Sequence, residues 1–301
     1  MNQSISNALR KKIVFIFNPF SGVKQKDLIE KEVHTYIDKL QYDYEIRYTE
    51  YPNHAIEIAK QCVESGIDVV VAVGGDGSVN EVAQSLIGTK TVLGILPAGS
   101  GNGFAMHLGL GRKAKKALHI LNTGTTRLID TCTINGRPFV NLSGMGFDGK
   151  VAYFYKRVKK RGFLGYLKSS IQQIRHFKFQ EYLVKVDGVE VVNRACFSVV
   201  VANAPMYGYN FVIAPKAVLD DGELEIVAFY KAKTWRYFFS LWRMLNQSMH
   251  KTSLADRFSG KKVEVSFLEN QAYAHVDGEG FIVKETQVFE IKPKSLLVIV
   301  P

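Results

Sequence analysis

Three short loops rich in glycine and other small residues are the places where this chain could bind phosphate. They are Asn18-Pro19-Phe20-Ser21-Gly22, Gly74-Gly75-Asp76-Gly77-Ser78 and Gly99-Ser100-Gly101-Asn102-Gly103. Because glycine has no side chain, its backbone N–H group can come close to a phosphate oxygen, and a helix that begins in such a loop adds a favourable dipole. A single loop of this kind is usually just a tight turn. Three of them at one edge of a sheet would form a single anion-binding cradle.

Asp76 is the residue of the second loop that could carry chemistry. A carboxylate between glycines, beside an anion site, is costly unless a metal ion or a substrate hydroxyl balances its charge. Ser78 and Glu81 also fit a capping box, in which the serine caps a helix and the glutamate reaches back to the start of that helix. The pattern therefore predicts a helix that begins here and a functional carboxylate in its first turn.

The motifs of the common phosphate- and acyl-transfer enzymes are absent from the sequence. It has no GxxxxGK[ST] loop, no HRD or DFG set, no HExxH and no GxSxG. The Gly99-Ser100-Gly101 run also lacks the third glycine of a dinucleotide-binding fingerprint. The sequence therefore predicts a phosphate-binding protein outside these classes.

Alternating strand and helix patterns place the loops. Each loop follows an apolar run typical of a strand, at 13–17, 68–73 and 91–96, and a further run lies at 44–48. Apolar residues at helical spacing lie between these runs. The alternation predicts an α/β nucleotide-binding domain over residues 1–126 with a parallel, Rossmann-like sheet. In such sheets ligands bind at the carboxyl ends of the strands.

The chain from 127 to 293 has a different texture, with short β-rich runs separated by turns. Three Asp-Gly pairs, at 187–188, 221–222 and 277–278, mark such turns. The pattern predicts a second domain, a mainly antiparallel β-sandwich. Helical insertions interrupt it at about 151–178 and 232–249. We expect the last strand, 294–301, to pack back on the first domain.

The composition constrains the partners and the compartment. Lys and Arg outnumber Asp and Glu by 39 to 28, a formal net charge of +11, which favours an anionic partner. The three cysteines (Cys62, Cys132 and Cys196) are scattered and form no CxxC pair, which argues against disulfides or a zinc site. This cysteine usage predicts that the protein is located in the reducing cytoplasm. No apolar run approaches the ~20 residues of a membrane-spanning helix. Any membrane contact is then expected to be peripheral.

Residues 150–178 carry nine Lys or Arg and no Asp or Glu, with aromatic residues between them. The basic residues are Lys150, Lys156, Arg157, Lys159, Lys160, Arg161, Lys168, Arg175 and Lys178. Each basic residue near an anionic leaflet contributes about 1 kcal/mol. The segment predicts contact with an anionic membrane surface, and a solvated basic helix is the alternative. No recognisable nucleic-acid motif accompanies it, and we expect no nucleic acid partner.

Ordered motifs along the chain resemble the diacylglycerol kinase catalytic-domain family of bacterial lipid kinases and sphingosine kinases. GGDGSVNEV at 74–82 is similar to the family's GGDGTxNEV, NPFSG at 18–22 matches NPxSG, and PAGSGN at 97–102 matches its third loop. The similarity continues through 141–152, 207–226 and 274–281. The resemblance implies a kinase that uses ATP and Mg²⁺ to phosphorylate a hydroxyl of a membrane lipid. Such a kinase would act from the cytoplasm, peripherally associated with the inner face of the membrane.

The resemblance also assigns roles to individual residues. The implied ATP-binding set is Asn18, Pro19, Phe20, Ser21, Gly22, Thr49, Gly74, Gly75, Asp76, Gly77, Ser78, Val79, Asn80, Gly99, Ser100, Gly101 and Asn102. Asp277 and Glu279 are both candidates for the general base, and Asp76 completes the catalytic set. Taken alone, Asp277-Gly278 predicts only a hairpin turn. A structural Mg²⁺ site is implied at Asp221, with the backbone carbonyls of Val218 and Glu223.

Two departures from the family pattern bear on the substrate. Gly103 stands where bacterial diacylglycerol kinases usually carry Asp, and the form PAGSGN is closer to sphingosine and ceramide kinases. Ser78 replaces the usual Thr and keeps the hydroxyl. The expected lipid is therefore diacylglycerol or of the sphingoid type.

Two other functions stay open at this point. GGDG loops also occur in kinases of soluble metabolites such as NAD, although the Asn80-Glu81-Val82 run argues against that function. A catalytically inactive lipid-binding homologue is the other alternative, although all the acidic positions are present. The sequence leaves open whether the chain forms a homodimer. We expect Asp76→Ala and Asp277→Ala each to abolish turnover and to leave the fold intact.

Overall fold

The computed structural model describes residues 10–19, 26–156, 158, 162–233 and 253–301. All structural statements below concern these residues. The predicted loop residues Phe20, Ser21 and Gly22, and nearly all of the predicted helical insertion at 232–249, lie outside them.

Four parallel strands form the N-terminal sheet. They are β1 (Lys11–Phe17), β2 (Tyr42–Tyr48), β3 (Val69–Gly74) and β4 (Val92–Pro97), in the order β2-β1-β3-β4. Each pairs in parallel with its neighbour, as Ile13 does with Val69. β3 is buried along its whole length, because its Val/Ala run lies in the middle of a sheet covered on both faces. The predicted parallel, Rossmann-like sheet is confirmed.

The helices that follow these strands leave a crevice at the carboxyl edge of the sheet. They are α1 (Lys26–Tyr36), α2 (His54–Glu64), α3 (Asp76–Leu86), α4 (Gly103–His107) and α5 (Ala114–Thr123). α2 packs against α3, and α1 packs against α5. The strand order reverses between β1 and β3, so the connections that leave these two strands diverge. In open α/β sheets that point is where ligands bind.

The C-terminal half is mainly antiparallel, as predicted. Its strands are β5 (Thr125–Ile134), β6 (Arg137–Phe139), β7 (Leu142–Gly146), β8 (Gln180–Val186), β9 (Val189–Ala202), β10 (Leu224–Tyr230), β11 (Ala255–Gly260), β12 (Lys262–Phe267), β13 (Ala272–Val276), β14 (Glu279–Val283) and β15 (Gln287–Val300). The main path runs β14-β13-β7-β9-β8-β12-β15, and β10 pairs with β9 and β11. Two helices, α6 (Phe147–Tyr155) and α7 (Phe163–Ile174), lie between β7 and β8. No helix in the described ranges is long and apolar enough to cross a bilayer.

β15 connects the two halves. It pairs antiparallel with β5 and β12, and near its end Val298 pairs in parallel with Leu93 of β4. The sheet is therefore continuous from β2 to β14. The boundary between residues 126 and 127 stays a prediction, because β5 begins at Thr125 and no break in the sheet marks the position.

Candidate active site

A cavity of about 1510 Å³ lies between the strand-end loops and the C-terminal strands. We call the part that the N-terminal half lines the polar end, and it includes Asn18, Gly75, Asp76, Gly77, Ser78, Asn80, Gly99, Ser100 and Gly101, together with residues 50–53. We call the part that apolar and aromatic side chains of the C-terminal half line the apolar end, and it includes Phe147, Tyr155, Tyr166, Leu167, Ile171, Ile174, Phe197, Phe211 and Phe229. Asp277 and Glu279 also line it. Such a volume exceeds what a nucleotide alone requires.

The glycine-rich loops meet at the polar end. The side-chain amide of Asn18 donates to the hydroxyl of Ser78 at 3.2 Å, which joins the first loop to the second. Gly75 and Gly99 lie so close that a Cβ atom on Gly99 would collide with the backbone of Gly75. Asn102 holds the third loop through hydrogen bonds to the N–H (2.9 Å) and the carbonyl (2.8 Å) of Gly99. The three strand-end loops therefore converge, as expected, in the part of the chain that is described.

α3 begins at Asp76 with Gly75 as its N-cap, and no described side chain caps this end. The predicted capping box is wrong, because Ser78 lies inside the first turn rather than before it. Glu81 instead accepts the backbone N–H groups of Asn53 and Ala55, and burial raises the pKa of its carboxyl. The N–H groups of the first turn of α3 therefore remain the natural donors to a phosphate group.

The carboxylate of Asp76 reaches the third loop. Its oxygens accept the N–H groups of Gly103 and Phe104, each at 3.0 Å, where α4 begins. Burial raises the pKa of Asp76, and these backbone hydrogen bonds lower it. The first turn of α4 therefore supplies two donors to this charge, and a metal ion or a substrate hydroxyl beside Asp76 stays a prediction.

Asp277 lies in the hairpin turn between β13 and β14, with φ of 46°, followed by Gly278 with φ of 85°. The predicted Asp-Gly turn is confirmed. Its buried carboxylate accepts hydrogen bonds from the Asn80 side chain at 2.7 Å and from the N–H groups of residues 140–142, each at 3.0 Å. Burial raises the pKa of Asp277, and the four donors lower it. Each oxygen accepts two hydrogen bonds, so the carboxylate fixes the hairpin to α3.

Glu279 is half exposed and faces the cavity. Its carboxylate forms ion pairs with Arg137 and with Lys156, the latter at 2.7 Å. Burial raises the pKa of Glu279, but the hydrogen bond and charge of Lys156, together with Arg137, lower it by more. The pKa therefore lies below its usual value. Of the two candidate bases, Glu279 is the one whose partners are side-chain cations rather than fixed backbone donors.

Several residues of the predicted ATP-binding set do not line the cavity. Thr49, Gly74, Val79 and Asn102 are buried behind the lining, and Pro19 is exposed beside it. The backbone N–H of Thr49 bonds the carbonyl of Phe17 at 2.9 Å. Asn80 lines the cavity, but its amide group is bonded to Asp277, to the carbonyl of Pro138 and to Gln84. These buried or fully bonded residues therefore support the strand-end loops from within the fold.

Sequence reasoning missed Asp148. Its carboxylate accepts hydrogen bonds from Tyr207 at 2.8 Å and Ser198, and its Oδ2 lies 3.1 Å from Nε2 of the buried His275. All four residues line the cavity. Asp148 lies within the matched segment 141–152, but no local pattern in the sequence shows that residues 50, 59 and 127 positions away meet there.

The structure explains the glycine at position 103. A Cβ atom there would lie 2.8 Å from the carbonyl carbon of Tyr207 and 2.9 Å from the nitrogen of Gly208. An aspartate would not fit against this backbone. Tyr209, which follows, has φ of 63° and forms a side-chain hydrogen bond with Ser100. The third loop is therefore packed against residues 207–209.

The residues of the implied metal site form an exposed turn. Asp221 accepts the N–H of Glu223 at 3.0 Å, and the neighbouring Asp220 pairs with Arg127 at 2.7 Å. Beneath the turn, the fully buried Asp130 accepts the N–H groups of Gly222 and Lys294, each at 2.7 Å. Within the described ranges, no three His, Cys, Asp or Glu residues cluster as metal ligands. One carboxylate with two backbone carbonyls is nevertheless a donor set that suits a hard cation such as Mg²⁺.

Comparison with known proteins places the chain in a family. The diacylglycerol kinase catalytic domain matches residues 12–134, and the YegS C-terminal NAD kinase beta sandwich-like domain matches residues 142–300. Together these two matches span nearly the whole chain. The chain belongs to the diacylglycerol kinase catalytic-domain family, in its YegS-like, two-domain form.

Curated relatives match over part of their length. An uncharacterized protein of Synechocystis is 30% identical over 63% of this chain and 46% of its own length. A Chromohalobacter salexigens protein, provisionally named a YegS-like lipid kinase, is 32% identical over 60% of each chain. A diacylglycerol kinase of Bacillus subtilis is 27% identical over 74% of this chain and 75% of its own. The matched region thus spans about half to three fifths of the first two relatives.

A solved structure shares the whole fold. It is a Bacillus anthracis protein, provisionally named a diacylglycerol kinase, with a TM-score of 0.77 and 22% sequence identity over 97% of both chains. At this identity the likeness establishes the two-domain fold, which agrees with the fold predicted from the sequence.

Proposed function

We propose that this chain transfers the γ-phosphoryl group of ATP to a hydroxyl of a membrane lipid. The observation that carries the proposal is the two-ended cavity, which has phosphate-binding loops at one end and apolar side chains at the other. A soluble metabolite would have no use for the apolar end, whereas a lipid needs both an apolar site for its chains and a polar site for its reacting hydroxyl. The family membership supports the same reaction class.

ATP would bind along the strand-end loops. Its phosphates would lie on the N–H groups at the start of α3 and on the third loop, which Asp76 holds in place. Phosphoryl transfer asks mainly for positioning and for neutralisation of charge. Mg²⁺ bound with ATP would supply further neutralisation.

Glu279 is the proposed general base. It would accept the proton of the lipid hydroxyl as that oxygen bonds the γ-phosphorus and the bond to the ADP oxygen breaks. Arg137 and Lys156 now pair with Glu279. When ATP binds, both cations can turn to the phosphate oxygens, which frees the carboxylate to take the proton. Asp277 suits this role less, because its four hydrogen bonds come from groups that the fold fixes.

The acyl chains would occupy the apolar end. Aromatic and aliphatic side chains of α6, α7 and β9 line it, and Ile171 on α7 is 45% exposed. Burying a chain there removes apolar surface of both partners from water, at about 25 cal/mol per Å². We therefore assign α6 and α7 to lipid selection.

An anionic membrane surface is the proposed docking partner. In the basic segment 150–178, Lys168, Arg175 and Lys178 are exposed, whereas Lys150 bonds the carbonyl of His176 and Lys156 bonds Glu279. Arg157, Lys159, Lys160 and Arg161 lie outside the described residues. Lys168, Arg175 and Lys178 lie on or directly after α7, so docking through them would bring the apolar end of the cavity to the leaflet. Vesicles with anionic lipid should bind the chain, and binding should weaken as salt is raised. Equal binding to neutral vesicles would exclude the electrostatic contact.

The test of the function is transfer of radiolabelled γ-phosphate from ATP in mixed micelles. The acceptors would be diacylglycerol, monoacylglycerol, phosphatidylglycerol, a sphingoid base and ceramide, with NAD as the soluble control. We expect label in one lipid class and none in NAD. Label in NAD alone, or no label in any acceptor, would refute the proposal.

A further inference from the structure

The aromatic ring of Tyr51 forms a fixed, flat surface on the wall of the cavity. It stacks on His54 with ring centroids 4.2 Å apart and an angle of 6° between the rings. Its hydroxyl donates to Glu57 at 2.8 Å. Tyr51 is 45% exposed and lines the cavity. Because His54 covers one face, the open area belongs to the other face and the ring edge.

The loop that carries Tyr51 is tied to the phosphate-binding elements. The N–H groups of Asn53 and Ala55 bond the carboxylate of Glu81 on α3. The N–H of Glu50 bonds Nδ1 of His54 at 3.1 Å, which also holds the ring against which Tyr51 stacks. The Tyr51 ring is fixed by its stacking on His54 and by the hydrogen bond of its hydroxyl, so it loses little conformational freedom when a flat ligand stacks on its open face.

Tyr51 lies on the same sheet edge as the phosphate loops. The loop of Tyr51 follows β2, and the phosphate-binding turn follows β3, with β1 between them. Two strand spacings put these loops roughly 10 Å apart. That gap is of the size that a ribose and its first phosphate fill between a base and the rest of a triphosphate.

From this geometry we infer that Tyr51 is the stacking surface for the base of the nucleotide donor. The inference rests on the proposed function, because it assumes a nucleoside triphosphate on the loops. Base–aromatic stacking is tolerant of the identity of the base, so Tyr51 would hold the base by its flat face and would not distinguish one base from another. The apolar end, where acyl chains would lie, is built by the other half of the chain, which leaves the Tyr51 end to the nucleotide.

The test separates the base from the phosphates. Affinity for ATP, for ADP and for inorganic triphosphate would be measured by calorimetry for the unaltered chain and for Tyr51→Leu. We expect the variant to bind ATP and ADP about tenfold more weakly and to bind inorganic triphosphate unchanged. Tyr51→Phe, which keeps the ring, should restore most of the ATP affinity. Tyr36→Leu, which removes an exposed tyrosine of α1 outside the cavity, is the matched control.

The outcomes distinguish this inference from the function on which it rests. Unchanged ATP affinity in Tyr51→Leu, or an equal loss for ATP and inorganic triphosphate, would refute the stacking role and leave the kinase proposal standing. A change only in the KM of the lipid acceptor would assign Tyr51 to the other substrate and also refute it. Failure of the unaltered chain to bind any nucleotide would refute the proposed function itself. Thermal unfolding without ligand shows whether each variant is folded.

Discussion

The two ends of the cavity are built in different ways. At the polar end lie the loops that directly follow β1, β3 and β4. Asp76 bonds the N–H groups of the third loop, and Asp277 bonds α3 through Asn80 and the N–H groups of residues 140–142. At the apolar end, side chains come from α6, α7, β9 and β10, which are far apart in the chain. Under the proposed function, the chemistry would depend on a few fixed groups, whereas lipid selection would be spread over many side chains. Substitutions at the polar end should lower kcat, and those at the apolar end should change the KM of the acceptor.

Glu279→Gln should give the largest loss at the polar end. Removing a general base lowers kcat by about 10²- to 10⁴-fold, and the amide keeps the shape of the side chain. We expect the affinity for ATP to rise slightly, because Arg137 and Lys156 no longer have to leave a carboxylate to reach the phosphate oxygens. Steady-state kinetics with the identified lipid, together with ATP calorimetry, measures both quantities. A kcat close to that of the unaltered chain would show that Glu279 is not the base.

Asp277→Asn should act mainly on stability. The amide nitrogen of the new side chain would face N–H donors from residues 140–142, so at least one buried donor loses its partner. Each buried unsatisfied group costs about 1–3 kcal/mol, so the free energy of unfolding in urea should fall by about that much. This revises the expectation that substitution of Asp277 leaves the fold intact. A variant as stable as the unaltered chain, yet as inactive as Glu279→Gln, would make Asp277 the base.

Ile174→Trp tests whether the acyl chains of the acceptor occupy the apolar end of the cavity. Ile174 lines the cavity from the last turn of α7, and a larger ring there would take space from the acyl chain. We expect the KM for long-chain acceptors to rise about tenfold, with little change for a short-chain acceptor and none in ATP affinity. Gln172→Trp, on the same helix but outside the cavity lining, is the control. A uniform loss across chain lengths would place the chains elsewhere.

Lys156→Met should cause the smallest effect, a modest loss of ATP affinity together with a shift in pH dependence, because Arg137 keeps one positive charge near the phosphates. The positive charge of Lys156 helps to lower the pKa of Glu279. Removing that charge disfavours the carboxylate anion, so the pKa rises toward its usual value. The acid limb of the kcat/KM profile should then move to higher pH. Lys168→Met, an exposed substitution on α7, should leave the limb in place. A shift to lower pH would contradict the assignment of Glu279 as the base.

The same contrast explains what the sequence could predict. The parallel sheet follows from local patterns such as the Val/Ala run of β3, and it is present where it was predicted. That the GGDGS turn after β3 binds phosphate stays a prediction. The hydrogen bonds of the site's carboxylates, in contrast, join residues that are far apart in the sequence. Asp76 bonds backbone groups 27 and 28 residues away, and Asp277 bonds Asn80 across 197 residues. Ser78 was therefore given a capping role that it does not have.

The apolar end of the cavity and the cluster around Asp148 could not be predicted from the sequence for a related reason. Phe197 and Phe229 lie on strands whose sequence is equally typical of a buried core, and only the fold places their side chains in the cavity lining. Asp148 meets Tyr207 and His275 because β7, β13 and the segment after β9 come together. The absence of a side chain at Gly103 was visible in the sequence, but its cause, the backbone of residues 207–208, was not.

Photolabelling with a lipid tests the two-ended cavity most directly. A diacylglycerol analogue with a diazirine at the end of one acyl chain would be mixed with the protein in micelles and irradiated. The experiment would be done with and without a non-hydrolysable ATP analogue. Labelled peptides would then be mapped by mass spectrometry. We predict labelling within 147–174 and around Phe197 and Phe229, whether or not the nucleotide is present. Labelling of the strand-end loops at 74–78 and 99–103, or labelling that the nucleotide analogue prevents, would contradict the separation of the two ends.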